Sequence, residues 1–344
     1  MKVLITTVRI PFITGGAEFL AWNLRDALLR HGYEAEIIGI PFNGEAPEVI
    51  EEQIVASRLF GLSSQSDLCI GLKFPAYYMP HDNKVLWILH QYRAVYDLWD
   101  YEYNGIKDHP QGTFIRDVIY RADNTYLPEA KRIYTIADNV TGRLKRFNGI
   151  QSTTLYHPCP DSERFYTGQY EDYILMPSRV NLTKRQGLAL EAMEYVKSNM
   201  KLYIVGKPDR DEDYRQMMSY IEEHHLQDKV KYFDFVETEE KLRLYANARA
   251  VLFIPVDEDY GYITLEAMEA KKAVITASDS GGPLEFVENG KTGFIVEPDA
   301  ADIARAIDEL AASQAAARQM GEAGKQRILD MNISWDNVVR ELTK

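Results

Sequence analysis

The sequence predicts an α/β protein built from two Rossmann-like domains in tandem. Short apolar runs of strand type alternate with stretches of helical apolar spacing along most of the chain. The alternation restarts after a stretch rich in Pro, Gly and polar residues near the middle. A length of 344 residues also suits about two domains at roughly 150 residues each.

Taken in order, Val3–Val8 is a buried-strand run, followed by a loop from Pro11 to Gly16. Ala17–Arg30 then carries Leu20, Leu24, Ala27 and Leu28 at helical spacing and stops at His31-Gly32, a C-terminal cap signal. Glu36–Ile40 resumes as a strand. Strand, helix and strand in so short a span form a βαβ unit, which requires a parallel sheet and a right-handed crossover. Further strands are expected at Leu68–Leu72, Lys84–Leu89 and Arg132–Ile136. Residues 155–170, within TTLYHPCPDSERFYTGQYEDY, form the linker.

The second series has strands at Tyr173–Met176, Lys201–Val205, Val230–Phe233, Ala250–Ile254, Ala273–Thr276 and Thr292–Val296. Its helices are expected at Leu188–Val196, Arg215–His225, Glu239–Ala246, Tyr262–Ala270 and Ala301–Ser313. The resulting domains are 1–165 and 166–328, with 329–344 as a closing segment. In such a pair a ligand is expected in the cleft between the domains, at the carboxyl ends of the strands. No internal repeat stands out.

Composition narrows the function. The chain is 46% hydrophobic and 26% charged, which suits a folded, soluble protein. Its 52 acidic and 39 basic residues give a formal charge of -13. That balance argues against a nucleic-acid partner, because phosphate attraction needs a basic surface. The acid is unevenly spread: 17 basic and 20 acidic residues lie up to Phe165, against 22 and 32 from Tyr166 onward. Cys69 and Cys159 are too few for a disulfide framework or a zinc cluster, so a reducing compartment is expected. No apolar run approaches the roughly 18 residues of a spanning helix, and MKVLITTV lacks a signal-peptide layout. A cytoplasmic location follows as an expectation.

Three stretches can carry chemistry. PVDEDYGYITLEAMEAKKAVITASDSGG runs from a strand end through an acidic loop into a helix, with Glu258 in the loop and Glu266 on the helix. The helix start at Gly261, Tyr262 and Ile263 offers amide N–H groups and partial positive charge, a ready diphosphate site. Glu266, a turn further on, can accept from two adjacent ribose hydroxyls, while Glu258 projects towards the far end of a ligand. The alternative is that both are ordinary surface residues of an amphipathic helix. In PSRVNLTKRQGLALEAM, Arg179 and Lys184 lie at a strand's carboxyl edge, where a guanidinium and an ammonium suit a diphosphate leaving group. Arg185 beside them reads as a solvated charge. In RIPFITGGAEFLAW, Gly15 and Gly16 allow close backbone approach and positive φ between the first strand and first helix. The stretch is not GxGxxG, which disfavours NAD.

Together these stretches resemble the retaining glycosyltransferases of family 4, which have the GT-B fold. The order carries the resemblance: TGGAE before the first helix, Arg-x4-Lys after the first strand of the second domain, Glu-x7-Glu, then GGPLEFVENGKTGFIV. It is nearly continuous from Tyr173 to Val296 and patchy in the middle of the first domain. ISWDNVVRELTK resembles the family's final helix, which returns to the N-terminal domain. The resemblance implies two Rossmann-like domains facing a central cleft and a nucleotide-diphosphate sugar donor held mainly by the second domain. It implies that Glu266 holds the ribose, and that Arg179, Lys184, Gly15, Gly16 and the amides of Tyr262 and Ile263 surround the diphosphate. Glu258 would contact the transferred sugar. His90, in LWILHQYRAVYDLW, falls where the family often places a histidine beside that sugar; a structural hydrogen-bonding role is the alternative. Retention would proceed by front-face attack, with electrostatic stabilisation of the departing diphosphate. No metal or other cofactor is implied. The chain departs from the family at His157-Pro158-Cys159-Pro160, where an Asn-Gly pair is frequent, at Arg185, usually glycine, and at Tyr260, often Phe or Cys.

Asp257-x-Asp259 and Asp211-x-Asp213 each look like a DxD metal clasp. The first pair flanks Glu258 within the better-matching motif, and Asp211 is expected in a charged loop, so neither is assigned a metal. No HExxH, CxxC or GxSxG occurs. A nucleotide-sugar epimerase, a phosphorylase or a non-catalytic nucleotide-sugar-binding protein are the competing functions.

The acceptor, a glycan, lipid-linked or small saccharide of envelope polysaccharide or glycoconjugate assembly, is expected on the first domain. Tyr92, Tyr96, Trp99, Tyr101 and Tyr103 follow His90, and Phe74, Tyr77 and Tyr78 precede it, offering flat faces for sugar rings or else plain packing. Arg93 can meet an anionic acceptor. Between Lys131 and Arg146, five basic residues interleave with apolar ones, read either as a solvated helical face or as a peripheral contact with the anionic inner face of a membrane.

Overall fold

The computed structural model describes residues 1–12, 15–44, 46–101 and 104–344. The chain divides into two compact units, Met1–Pro160 with Ser334–Lys344, and Asp161–Ile333. The first boundary lies before Phe165 because Arg164 pairs with Glu239 and the Phe165 ring packs edge-on against Tyr245, both in the second unit. The second lies after residue 328 because the preceding helix runs on to Asp330.

The first unit comprises β1 (Lys2–Arg9), α1 (Gly16–Arg30), β2 (Glu34–Pro41), α2 (Ile50–Arg58), β3 (Leu68–Gly71), β4 (Lys84–Ile88), α3 (Gly112–Tyr126), β5 (Arg132–Thr135), α4 (Asp138–Asn148) and β6 (Thr153–Thr154). Its sheet is parallel, in the order β2-β1-β3-β4-β5-β6. Helices cover both faces of such a sheet, so β3 and β4 are buried at every position and read as apolar runs, apart from Lys84 at the start of β4, which pairs with Glu129 at 3.0 Å. Leu20, Leu24 and Leu28 of α1 form the buried stripe that the helical spacing gives.

The second unit comprises β7 (Tyr173–Pro177), α5 (Gln186–Tyr195), β8 (Lys201–Val205), α6 (Asp211–Glu223), β9 (Val230–Phe233), α7 (Thr238–Asn247), β10 (Ala250–Leu252), α8 (Tyr262–Glu269), β11 (Ala273–Ala277), α9 (Pro283–Phe286), β12 (Gly293–Val296), α10 (Ala300–Ala312) and α11 (Gln314–Asp330). Its parallel sheet runs β9-β8-β7-β10-β11-β12, the strand order of the dinucleotide-binding fold. Ile174, Leu202, Leu252 and Ile275 of the strands pack with Leu190 and Met193 of α5 and Ile303 and Ile307 of α10 in one core. Asp211 and Asp213 open α6 rather than lying in a loop, and Asp213 is buried against Arg210 at 2.8 Å. Acidic residues in a first turn complement the helix dipole, which explains the pair without a metal.

The last helix, α12 (Trp335–Leu342), belongs to the first unit. The Trp335 ring stacks on His157 at 6.0 Å and meets Trp87 edge-on at 6.4 Å. Arg132 donates to the carbonyls of Glu341 and Leu342 at the end of α12, where a cation suits the helix dipole. His157, at one of the departures noted above, therefore serves to seat this helix.

The stretch from Lys131 to Arg146 is not one basic-apolar face. Arg132 is committed to α12, Arg143 is nearly buried beside Asp97, and Leu144 is wholly within the core. Lys131, Lys145 and Arg146 remain exposed. Among the described residues no helix is long and apolar enough to cross a membrane.

Candidate active site

In an open parallel sheet, neighbouring strands whose connections run to opposite faces leave a crevice at their carboxyl ends. In the second unit that point lies between β7 and β10, the strands followed by the two most informative stretches of the sequence. After β7 the chain forms a short turn, capped by Asn181, whose side-chain oxygen accepts from the Lys184 amide at 3.1 Å and the Thr183 hydroxyl at 2.8 Å. The Val256 amide donates to the Thr183 carbonyl at 2.8 Å, joining this turn to the loop after β10. The join brings Lys184 to Glu258 as a direct ion pair, with the ammonium 5.5 Å from the Phe253 ring centre. Arg179 extends outward, 70% exposed, and contacts Asp209 at 3.0 Å. Arg185 is not a solvated charge: it is 18% exposed, adopts a left-handed backbone (φ 59) and grips both oxygens of Asp279, at 2.6 and 2.5 Å.

The acidic loop is fixed by the glycine-rich turn after β11. The Asp257 amide donates to the Asp279 carbonyl at 3.0 Å, Glu258 to Ser280 at 2.9 Å, and Gly282 back to Glu258 at 2.8 Å. A Cβ on Gly282 would sit 2.7 Å from the Tyr260 carbonyl oxygen, so only glycine allows the two loops to lie so close. Gly261 caps α8 with φ 86, turning the chain so that the Tyr262 and Ile263 amides occupy the helix's first turn. Glu266 lies further along α8, 6% exposed. Its carboxylate accepts from Lys241 at 2.6 Å and from the Tyr245 hydroxyl at 2.6 Å. In the sequence Lys241 and Tyr245 carry no signal beyond their i, i+4 spacing on α7. Burial therefore decides against reading Glu266 as a surface residue of an amphipathic helix, although Glu258 is only partly covered.

The first unit presents its own carboxyl edge. Gly15 caps α1 and donates to the Glu18 carboxylate at 2.8 Å, and Gly16 is the first residue of the helix. Gly15 is extended (φ -151), so no positive φ demands glycine there. Among the described residues a Cβ at Gly15 would meet the Glu18 carboxylate, at 3.7 Å, an ordinary contact distance. Lys73 follows β3 and was not singled out from the sequence; burial lowers its pKa, opposed by the Glu18 charge. His90 follows β4, its Nδ1 2.6 Å from the Gln91 carbonyl, which requires that nitrogen to carry the proton.

The aromatic residues around His90 divide sharply. Phe74, Tyr77, Tyr78 and Tyr96 are buried core residues, so Tyr96 is corrected from an acceptor contact to a packing residue. The reason is Asp123, a fully buried carboxylate absent from the sequence reading. It accepts from the hydroxyls of Tyr78 at 2.6 Å, Tyr96 at 2.6 Å and Tyr77 at 3.1 Å, and from Gln91 at 3.1 Å. Burial raises the Asp123 pKa, and these donors oppose the rise. Tyr92 is half-buried, donates to the Gly44 carbonyl at 3.1 Å, and lines a cavity of about 300 Å³ with Leu98, Tyr101 and Ile106. Trp99 carries the Arg116 guanidinium 4.4 Å above its ring, and Arg93 pairs with Asp97 at 2.6 Å. Tyr103 lies outside the described residues. Among the described residues no group of three or more His, Cys, Asp or Glu side chains is placed to hold a metal ion.

Two parallel six-stranded sheets with helices, one with the dinucleotide-binding strand order, define a GT-B architecture, and solved structures match it over the full chain. Sucrose-phosphate synthase from Thermosynechococcus elongatus superposes with a TM-score of 0.80 at 16% identity, covering 99% of this chain and 97% of that one. The Anabaena protein HepE, solved with UDP and glucose, gives 0.72 at 16% identity, covering 100% and 98%.

Residues 163–327 match the family model described as glycosyl transferases group 1. The chain is 33% identical over 128 residues to alpha-1,3/1,6-mannosyltransferase ALG2 of Dictyostelium discoideum, covering 37% of this chain and 30% of that protein. It is 37% identical over 109 residues to alpha-maltose-1-phosphate synthase of Mycolicibacterium smegmatis, covering 29% and 28%. The matched stretches thus span less than a third of either relative's length.

Proposed function

We propose that this chain is a retaining, metal-independent glycosyltransferase that takes a nucleotide-diphosphate sugar and delivers the sugar to a saccharide or lipid-linked acceptor. The observation that carries the reading is the juxtaposition at the β7/β10 crevice. Lys184 meets Glu258 there, beside a helix whose first-turn amides precede a buried carboxylate, Glu266. The match of residues 163–327 to the glycosyl transferase model and the mannosyltransferase and maltose-1-phosphate synthase relatives support it. So does a structural relative that holds UDP and glucose.

On this reading Glu266 accepts the ribose hydroxyls, exchanging them for its present donors Lys241 and Tyr245. The Tyr262 and Ile263 amides, Lys184 and Arg179 hold the diphosphate and stabilise its charge as the glycosidic bond breaks. Gly15 and Gly16 are assigned to the diphosphate on the resemblance of the TGGAE stretch. Glu258, released from Lys184 when the diphosphate takes that cation, orients the transferred sugar. His90, protonated on Nδ1, is assigned to the transferred sugar. Attack from the face that the diphosphate leaves retains the anomeric configuration. Fixed cations and helix amides supply the positive charge that a divalent metal provides in DxD enzymes. The half-buried Tyr92, Trp99 and Arg93 are assigned to the acceptor side. Peripheral membrane contact, if the acceptor is lipid-linked, falls to Lys131, Lys145 and Arg146 alone.

The test is a thermal-shift panel of UDP, GDP, ADP and TDP sugars on the full chain, followed by product analysis with the donor that stabilises it. One nucleotide should raise the melting temperature, and the product anomer should match the donor's. The absence of any shift across the panel, or an inverted product, would overturn the proposal.

A further inference from the structure

Arg185 stands where the backbone is left-handed (φ 59), a region costly to any side chain with a Cβ and persisting only where its surroundings enforce it. What the side chain gains there is a two-pronged grip on Asp279, at 2.6 and 2.5 Å, across 94 positions of sequence. Hydrogen bonds from Arg185, helped by its charge, hold the Asp279 carboxyl below its ordinary pKa against the burial that raises it. Asp279 begins the strap that fixes the acidic loop. Its carbonyl accepts from the Asp257 amide at 3.0 Å, Ser280 accepts from Glu258 at 2.9 Å, and Gly282 donates to Glu258 at 2.8 Å. The peptide groups on both sides of Glu258 are therefore tied to a strap that Arg185 anchors from the opposite loop. Lys184, the preceding residue, holds the Glu258 carboxylate itself.

We infer that Arg185 and Asp279 form a latch that fixes the Asp257–Tyr260 loop and thereby selects which sugar Glu258 accepts. Arg185 is a positioning residue, acting through Asp279 and the strap. The inference rests on the proposed function only in giving Glu258 the transferred sugar. A pair that merely stabilised the fold would be a poor occupant of a strained position, since glycine would satisfy the same backbone.

Two variants test it. Arg185→Gly removes the grip and relieves the backbone, and Asp279→Asn keeps the size and removes the charge. Hydrogen–deuterium exchange of the Asp257, Glu258 and Gly282 amides should accelerate about tenfold or more in both, with the rest of the unit unchanged. The melting temperature of Arg185→Gly should stay within about 2 °C of the parent, separating the effect from unfolding. Titrations with UDP, UDP-glucose, UDP-galactose, UDP-N-acetylglucosamine, GDP and GDP-mannose should keep the nucleotide affinity within about twofold. The preference for the best sugar over its epimers should fall at least about fivefold. Unchanged amide exchange in both variants overturns the latch, and loosened amides with undiminished sugar preference overturn its selecting role. If the parent binds no UDP, GDP, ADP or TDP sugar, the donor reading fails, and the exchange measurement still decides whether the latch holds the loop.

Discussion

Replacing Glu266 by Gln keeps the side chain's shape and removes its charge, at the residue on which the ribose assignment turns. In the free protein its two oxygens accept from Lys241 and Tyr245, each at 2.6 Å. Gln can keep its oxygen towards Lys241 and turn its amide towards Tyr245, whose hydroxyl also accepts. Both hydrogen bonds survive, and what is lost is the ionic part of a pair whose lysine is 38% exposed and screened by solvent. The stability cost is then about 1 kcal/mol. A ribose offers two hydroxyl donors, and each bond to a carboxylate contributes about 1.5–3 kcal/mol, of which Gln can make one. Nucleotide affinity should fall about 10- to 150-fold. Calorimetric titration with the nucleoside diphosphate selected by the melting panel, and with its 2′,3′-dideoxy analogue, isolates the contact. The penalty should shrink to less than about twofold for the dideoxy compound. An equal penalty for both nucleotides, or none for the ribose form, refutes the assignment.

Three further outcomes are expected. Turnover with the identified donor should persist in excess EDTA, and activity abolished by EDTA and restored by Mn²⁺ would reject metal independence. His157 is fully buried, which holds its pKa down to about 3 from an ordinary 6.5, so only the unfolded chain binds that proton between those values. Acidification through that window should destabilise the first unit by about 1.4 kcal/mol per pH unit from this group. All four tryptophans, at 22, 87, 99 and 335, lie in that unit, so urea unfolding followed by tryptophan fluorescence reads it alone; no difference between the parent and His157→Phe in this slope would count against it. In the second unit, Lys272 is fully buried with its ammonium 3.4 Å above the Tyr170 ring centre, and burial lowers its pKa to about 7. Stability from this residue should rise with pH between about 7 and 10.5, and Lys272→Met should raise the melting temperature at pH 7 and flatten that slope. A lower melting temperature for Lys272→Met would show the ammonium–ring contact to outweigh the desolvation.

What the sequence disclosed and what it withheld follow from the range of the forces involved. Fully buried parallel strands are apolar at most positions, so β3, β4 after Lys84, and β11 around Thr276 are legible as near-continuous runs. Thr153–Thr154 is a two-residue edge strand with no such constraint, and it leaves no pattern. Helix α11 packs through Gly321 and Gly324, where a Cβ would strike Lys271 and Met268, so its contact face lacks an apolar stripe. Arg179, Lys184, Glu258 and Glu266 are legible as candidates because they follow strand ends that the periodicity locates. The pairs Arg185–Asp279 and Lys241–Glu266 are not, because they join residues far apart in sequence whose approach depends on the folded sheet. Asp123 fails for the opposite reason. A lone aspartate in a helical stretch reads as solvent-facing, and only the converging hydroxyls of Tyr77, Tyr78 and Tyr96 show why it can be buried.

The ion pairs also resolve a difficulty that the charge count raises. The acidic half of this chain is proposed to bind an anion, and its overall field opposes the approach of one. Each cation at the crevice already has a carboxylate: Lys184 has Glu258, Arg179 has Asp209, Arg185 has Asp279 and Lys241 has Glu266. Binding a nucleotide sugar on the proposed reading is therefore an exchange of partners rather than the filling of a positive hole. The diphosphate displaces Glu258 from Lys184, and the ribose displaces Lys241 and Tyr245 from Glu266. Each displaced group then faces another part of the same ligand or solvent. Such an exchange changes the unit's local charge less than adding an anion to bare cations would. Affinity should accordingly depend only weakly on ionic strength, with selectivity residing in how well the released carboxylates are re-satisfied. The pair that no ligand is proposed to open is Arg185–Asp279, the contact that keeps the loop of Glu258 in place while the others trade partners.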